Sequence, residues 1–139
     1  QGSLQELFPG LTIELTVLPT EAALNFGRES DYDLFLIYWT PDYQDPISTL
    51  MTLYKGNDRN YQNPVYDKLL DEAATTYALE PEKRWVTLIA AEKEVIETTA
   101  GMIPLSQNQQ TGLQNDKVKG LNFHTFGAPL TLKNVYKEK

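Results

Sequence analysis

Residues 38–47 read Tyr-Trp-Thr-Pro-Asp-Tyr-Gln-Asp-Pro-Ile, directly after an apolar run, Leu34-Phe35-Leu36-Ile37. The run has the length and composition of a buried strand. Leu34 to Trp39 is apolar at every position, which suits burial on both faces, as in a parallel sheet covered by helices. Asp45-Pro46 then opens a helix. The Asp carboxylate accepts bonds from the free N–H groups of a first turn, and Pro at the first helical position wastes no donor. A strand that ends beside Trp39, Asp42 and Tyr43, next to two prolines, has the composition of a ligand-facing edge.

Toward the N-terminus, Leu11, Ile13, Leu15 and Val17 alternate with Thr12, Glu14 and Thr16. Period two predicts a strand, Leu11 to Leu18, with one buried face, ended by Pro19. Thr20 is placed to cap a short helix, Glu21 to Gly27, with Ala22, Ala23 and Phe26 as its apolar side. Asp31 and Asp33 flank the entry to the second strand. Strand, short helix and strand within about thirty residues is a βαβ unit, so the fold class is α/β. Ser3 to Phe8 reads as the last turn of a helix closed by Pro9-Gly10. With no initiator methionine in front of it, the chain reads as a fragment of a larger protein.

Toward the C-terminus, Ile47, Leu50, Met51 and Tyr54 fall at helical spacing, and Gly56 to Asn60 is a polar loop. Asn63-Pro64 starts the next helix by the same device as Asp45-Pro46. Its buried stripe is Val65, Leu69, Leu70, Ala73 and Tyr77, and its wet face Asp67, Lys68, Asp71 and Glu72. Pro81 opens a third helix, running to about Thr98, with Trp85, Leu88, Ile89, Val95 and Ile96 turned inward. Glu92 lies near the centre of that stripe, where a half-buried acid requires a partner. The composition changes at Gly101. Met102 to Leu105 is a short apolar strand. Gly112, Gly120, Gly127 and Pro129 then punctuate short β segments and turns.

The 139 residues fit one domain, with 41% hydrophobic residues for a core. The net charge is −7, from 12 basic and 19 acidic residues, and the basic ones are scattered. Phosphate neutralisation needs clustered Lys and Arg, so no nucleic-acid partner is expected. There is no cysteine and a single histidine, His124. That removes disulfides, thiolate zinc sites and cysteine nucleophiles, and no metal site or cofactor is expected. His124 reads as a satisfied turn histidine. No apolar run reaches the length of a transmembrane helix, and no signal peptide is visible. The phosphate-binding glycine motifs and the G-x-S-x-G elbow are also missing, which weighs against an enzyme.

Two acids stand out. Asp42 and Asp45 together could serve as the carboxylate pair of a glycan-acting enzyme. Asp45, however, has the position of a helix cap. Asp42 has no such duty and is either a solvated loop acid or a ligand group for a cation, since a carboxylate accepts charge-assisted bonds from an ammonium. Trp39 and Tyr43 fit the core better than a ligand wall.

Several short motifs recur in one order. They are Phe8-Pro9-Gly10-Leu11, Asp31-Tyr32-Asp33-Leu34, Trp39 to Pro46, and Tyr61-Gln62-Asn63-Pro64-Val65-Tyr66-Asp67-Lys68-Leu69. Arg84 with Ala91-Glu92-Lys93, Ile103-Pro104-Leu105, Val118-Lys119-Gly120-Leu121 and Leu132-Lys133-Asn134-Val135-Tyr136 come after them. In this order and spacing the chain resembles the C-terminal part of an extracytoplasmic oligopeptide-binding protein of a peptide ABC importer, a family 5 solute-binding protein. Its wording is most similar to lactic-acid-bacterial and streptococcal members. The resemblance implies a fragment of a two-lobed, periplasmic-binding-protein-like fold. Residues 1–100 would be part of the C-terminal ligand-binding lobe, and residues 101–139 a β-rich tail that crosses back to the first lobe.

It further implies a receptor that performs no chemistry, captures oligopeptides and delivers them to ABC permease subunits in the membrane. Such a receptor would be a cell-surface lipoprotein of a Gram-positive bacterium. The backbone of Tyr38, Trp39 and Thr40 would pair with the peptide, Asp42 would accept its α-ammonium, and Asn108 would lie near the interlobe cleft. Some members carry an arginine on the second strand that meets the peptide carboxylate; Leu36 and Ile37 stand there instead. A receptor of the same fold for a dipeptide, nickel or a sugar is the alternative, and a standalone interaction domain is another. An apolar tail without its partner lobe is expected to fold back or to self-associate.

Overall fold

The computed structural model describes residues 1–29, 32–57, 59–107 and 111–139. Helices and short antiparallel strands mix along the chain, in two compact units: Gln1–Phe35 with Asp58–Asn60, and Leu36–Asn57 with Tyr61–Lys139.

The first unit holds α1 (Gly2–Leu7) and α2 (Thr20–Glu29). α1 ends as its sequence predicts, with Pro9 after it and Gly10 at φ +98°. α2 starts at Thr20 itself and runs two residues past Gly27. Gly27 is buried because the Phe35 ring lies against it: a Cβ there would stand 2.9 Å from the ring. Among the described residues of this unit, no large apolar side chain is fully buried.

The second unit is built on α3 (Ile47–Leu50), a 3-10 turn (Met51–Leu53), α4 (Pro64–Ala74) and α5 (Pro81–Lys93), which runs into a π-helical turn (Glu94–Thr98). Local bonds start the helices. Asn63 accepts from the Val65 and Tyr66 N–H groups at 3.0 and 3.1 Å, with Pro64 at the first helical position. Asp45 Oδ1 accepts from Ile47 N–H at 2.9 Å. α4 and α5 pack together, and α3 packs on α5. The core is Ile47, Leu50, Leu53, Tyr66, Leu70, Ala73, Leu88, Ala91 and Val95. Fully burying one such large side chain is worth about 1.5–3 kcal/mol. Tyr66 adds a polar tie, donating its hydroxyl to Leu50 O at 2.5 Å, and meets the Tyr61 ring edge-on at 5.7 Å. That burial pushes the Tyr66 phenol pKa up.

The buried faces keep Leu70, Ala73, Leu88 and Val95 of the predicted stripes, with Leu69 and Ile96 packed against them, but differ at their margins. In α4 the face is Tyr66, Leu70 and Ala73, and Val65 is exposed. In α5 it is Thr87, Leu88 and Ala91. Trp85, predicted to be core, is 55% exposed, and Ile89 is also exposed. Glu92 is exposed as well, so it requires no partner. In α4 the added inward residue has a visible tie: Tyr66 reaches Leu50 on the α3 side.

The βαβ unit is not formed. Leu11–Leu18 and Leu34–Trp39 make no strand ladder, and neither does Met102–Leu105. A strand exists by pairing, and among the described residues none of the three has a neighbouring strand. The strands present are β1 (Val118–Lys119), β2 (Asn122–Phe123), β3 (Leu130–Thr131) and β4 (Tyr136–Lys137). β1 pairs with β4 and β2 with β3, both antiparallel.

Candidate functional site

The edge from Tyr38 to Asp42 runs into a rigid helix start. Asp45 is its fixed post. Arg84 donates from Nη2 to Asp45 Oδ1 at 3.0 Å, and its Nη1 lies 3.0 Å from Oδ2. Arg84 Nε also donates to Ala73 O at 3.2 Å. One guanidinium thus ties the start of α3 to α5 and to the end of α4. Burial works to raise the Asp45 pKa. The Arg84 bond, the Ile47 N–H and the Arg84 charge together outweigh it and hold the carboxyl below its ordinary value. A general acid needs the opposite shift, so Asp45 is not tuned for that role.

Asp42 differs in every respect. It is exposed, and among the described residues its carboxylate has no hydrogen-bond or ion-pair partner. Its backbone is held instead. The Asp42 N–H donates to the buried Ser48 Oγ at 3.1 Å, and Pro41 O accepts from Gly127 N–H at 3.1 Å. Tyr38, Trp39 and Thr40 precede it, all exposed, and among the described residues Leu36 to Thr40 make no backbone hydrogen bond. Trp39 and Tyr43, expected in the core, are half-exposed. Asn108 lies outside the described residues.

Tyr43, Pro46, Met51, Trp85 and the Asp45–Arg84 pair are among the residues that line an open groove. His124 has the partner expected of it, with Nε2 2.7 Å from Thr131 Oγ1. Among the described residues, no group of three His, Cys, Asp or Glu side chains could hold a metal ion. What the edge offers chemically, among the described residues, is a row of unpaired backbone groups ending in a carboxylate without a partner. That suits an extended chain with a cationic end.

Three residues of this arrangement escape sequence reading. Arg84 is 39 positions from Asp45, and no local signal joins them. Ser48 is one serine in a short helix. Gly127 is legible as a turn glycine, but not as a neighbour of Pro41.

No family model matches the chain. A dipeptide-binding protein of Lactococcus lactis is 32% identical over 140 residues, covering 98% of this chain and 25% of that protein. The dipeptide-binding protein DppE of Bacillus subtilis is 36% identical over 121 residues, covering 85% of this chain and 22% of its own length. The structure of Listeria monocytogenes OppA bound to peptide superposes on the whole chain with a TM-score of 0.83 at 33% identity, over 26% of that structure. The chain thus spans about a quarter of the length of the proteins it matches.

Proposed function

We propose that this chain, homologous over nearly its whole length to the dipeptide- and oligopeptide-binding proteins of ABC transporters, is the ligand-edge portion of an extracytoplasmic peptide receptor. The whole protein captures oligopeptides and hands them to permease subunits in the membrane, from a position on the cell surface fixed by a lipid anchor. It performs no chemistry. Residues 1–100 belong to the ligand-binding lobe and residues 101–139 to the tail that returns to the other lobe. In the isolated chain, that tail is the surface for self-association.

One observation carries the reading: the backbone of Tyr38, Trp39 and Thr40, unpaired among the described residues, leads straight to the Asp42 carboxylate, which has no partner among them either. The peptide adds as a strand, so main-chain bonds supply affinity without side-chain choice. Asp42 takes its α-ammonium, and Asn108 is assigned to the cleft on resemblance alone. The names of the Lactococcus and Bacillus relatives favour a second reading, a dipeptide receptor, over nickel or a sugar.

Calorimetry on the full-length protein tests this. Asp42→Asn should weaken peptide binding by about 1.5–3 kcal/mol, the range for a hydrogen bond to a charged group. N-acetylated peptides should bind wild type weakly and lose little more on mutation. Equal losses for both peptide forms would mean that Asp42 does not hold the amine. A series from two to six residues separates the dipeptide reading from the oligopeptide one.

A further inference from the structure

We infer that Ser48 and Gly127 are positioning residues that aim the Asp42 carboxylate at the ligand edge. The inference rests on the ligand role of Asp42. The Pro41 carbonyl and the Asp42 N–H belong to one peptide plane, and that plane is held at both ends. Gly127 N–H donates to its oxygen at 3.1 Å, and Ser48 Oγ accepts from its nitrogen at 3.1 Å. Two bonds on opposite sides of this planar unit restrain the main chain that enters Asp42, and so narrow the region its side chain can sample.

The two holders come from distant parts of the chain. Ser48 sits in α3, 6% exposed, and its N–H donates to Asp45 O at 3.0 Å. Its hydroxyl is therefore anchored to the helical core. Gly127 lies in the connection between β2 and β3, at φ +68°. The positive φ favours glycine, and a Cβ at Gly127 would stand a tight 3.2 Å from Asp42 O, pushing the two segments slightly apart. A loop left to swing would be ordered only on binding, at a cost in affinity; here the main chain beside Asp42 is already held.

The test is calorimetry on the full-length protein with a randomised pool of peptides of two to six residues, free and N-acetylated. Ser48→Ala and Gly127→Ala should each weaken binding of the free pool by about 5- to 30-fold, the equivalent of misaligning one charge-assisted bond. Binding of the acetylated pool should stay within about twofold, because it does not use the carboxylate. In an Asp42→Asn background either substitution should add less than about twofold, as expected of residues acting through Asp42. Should Gly127→Ala fail to fold, Ser48→Ala carries the test, since it removes one oxygen and keeps a good helix former. Equal losses on both pools, with Asp42→Asn still selective for the free one, would overturn the positioning role alone. Full affinity of Asp42→Asn for the free pool, or no binding of either pool by wild type, would overturn the Asp42 reading and this inference with it.

Discussion

The helical stretch from Asp45 to Thr98 and the two segments Leu11–Leu18 and Leu34–Trp39 are all rich in apolar residues, yet they end in opposite states. In the first, Tyr66, Leu70, Leu88 and Val95 are fully buried. In the others, Leu15, Val17, Leu34, Leu36 and Tyr38 are 65–81% exposed. The difference lies in where each element finds its partners. A helix closes its backbone bonds within itself and needs one face covered, which neighbouring helices supply here. A strand needs another strand on its edge and a layer on its face. The chain spans about a quarter of its relatives, and those partners are not among the described residues.

The largest effect expected from this contrast is at Leu88. Leu88→Ala should destabilise the chain by about 2–5 kcal/mol, the range for emptying a core site. Leu36→Ala should change it by less than about 0.5 kcal/mol, as for an exposed position. Urea melts of the two variants measure the gap. A cost at Leu36 equal to that at Leu88 would break the comparison.

Next in size is the post that joins the helices. Asp45→Ala removes both the cap and the Arg84 pair and should cost about 1.5–3 kcal/mol. Asp45→Asn keeps a capping oxygen and should cost less. The sign of the pH dependence comes from the lowered Asp45 pKa. The stabilisation is present above the carboxylate's ordinary value, about 4, and is lost as pH falls through the lower folded value. Melts from pH 7 to pH 2 should therefore show wild type and Asp45→Asn converging at the acid end. A gap that persists to pH 2 would point to packing rather than charge.

The smallest effect sharpens the claim that local signals suffice for the helices. Asn63→Ala should cost about 1 kcal/mol by removing the α4 cap, and Asn63→Asp should retain most of it. Thermal melts can rank wild type, Asn63→Asp and Asn63→Ala in that order. Losses of the same size for both would place the role of Asn63 in the bonds from its Nδ2, to Glu94 Oε1 at 2.8 Å and to the Tyr61 hydroxyl at 3.1 Å.

The sequence by itself determined the helices, because caps and helical spacing act within a few residues. Asn63-Pro64, Asp45-Pro46 and Pro81 each open a helical segment where the pattern says. It also determined that Asp45 is a structural acid and that Asp42 is without a local duty. Which residues at the margins of each buried stripe turned inward was decided only by tertiary structure. Tyr66 reaches Leu50 across the unit, and neither Trp85 nor Glu92 carries a local sign of being left outside. Tertiary structure also decided that Leu11–Leu18 and Leu34–Trp39 make no ladder among the described residues, since a ladder needs a second chain segment that no local pattern can supply. It alone joined Arg84 to Asp45, and Gly127 to the peptide plane in front of Asp42, because contacts between residues 39 and 86 positions apart arise from packing rather than from spacing.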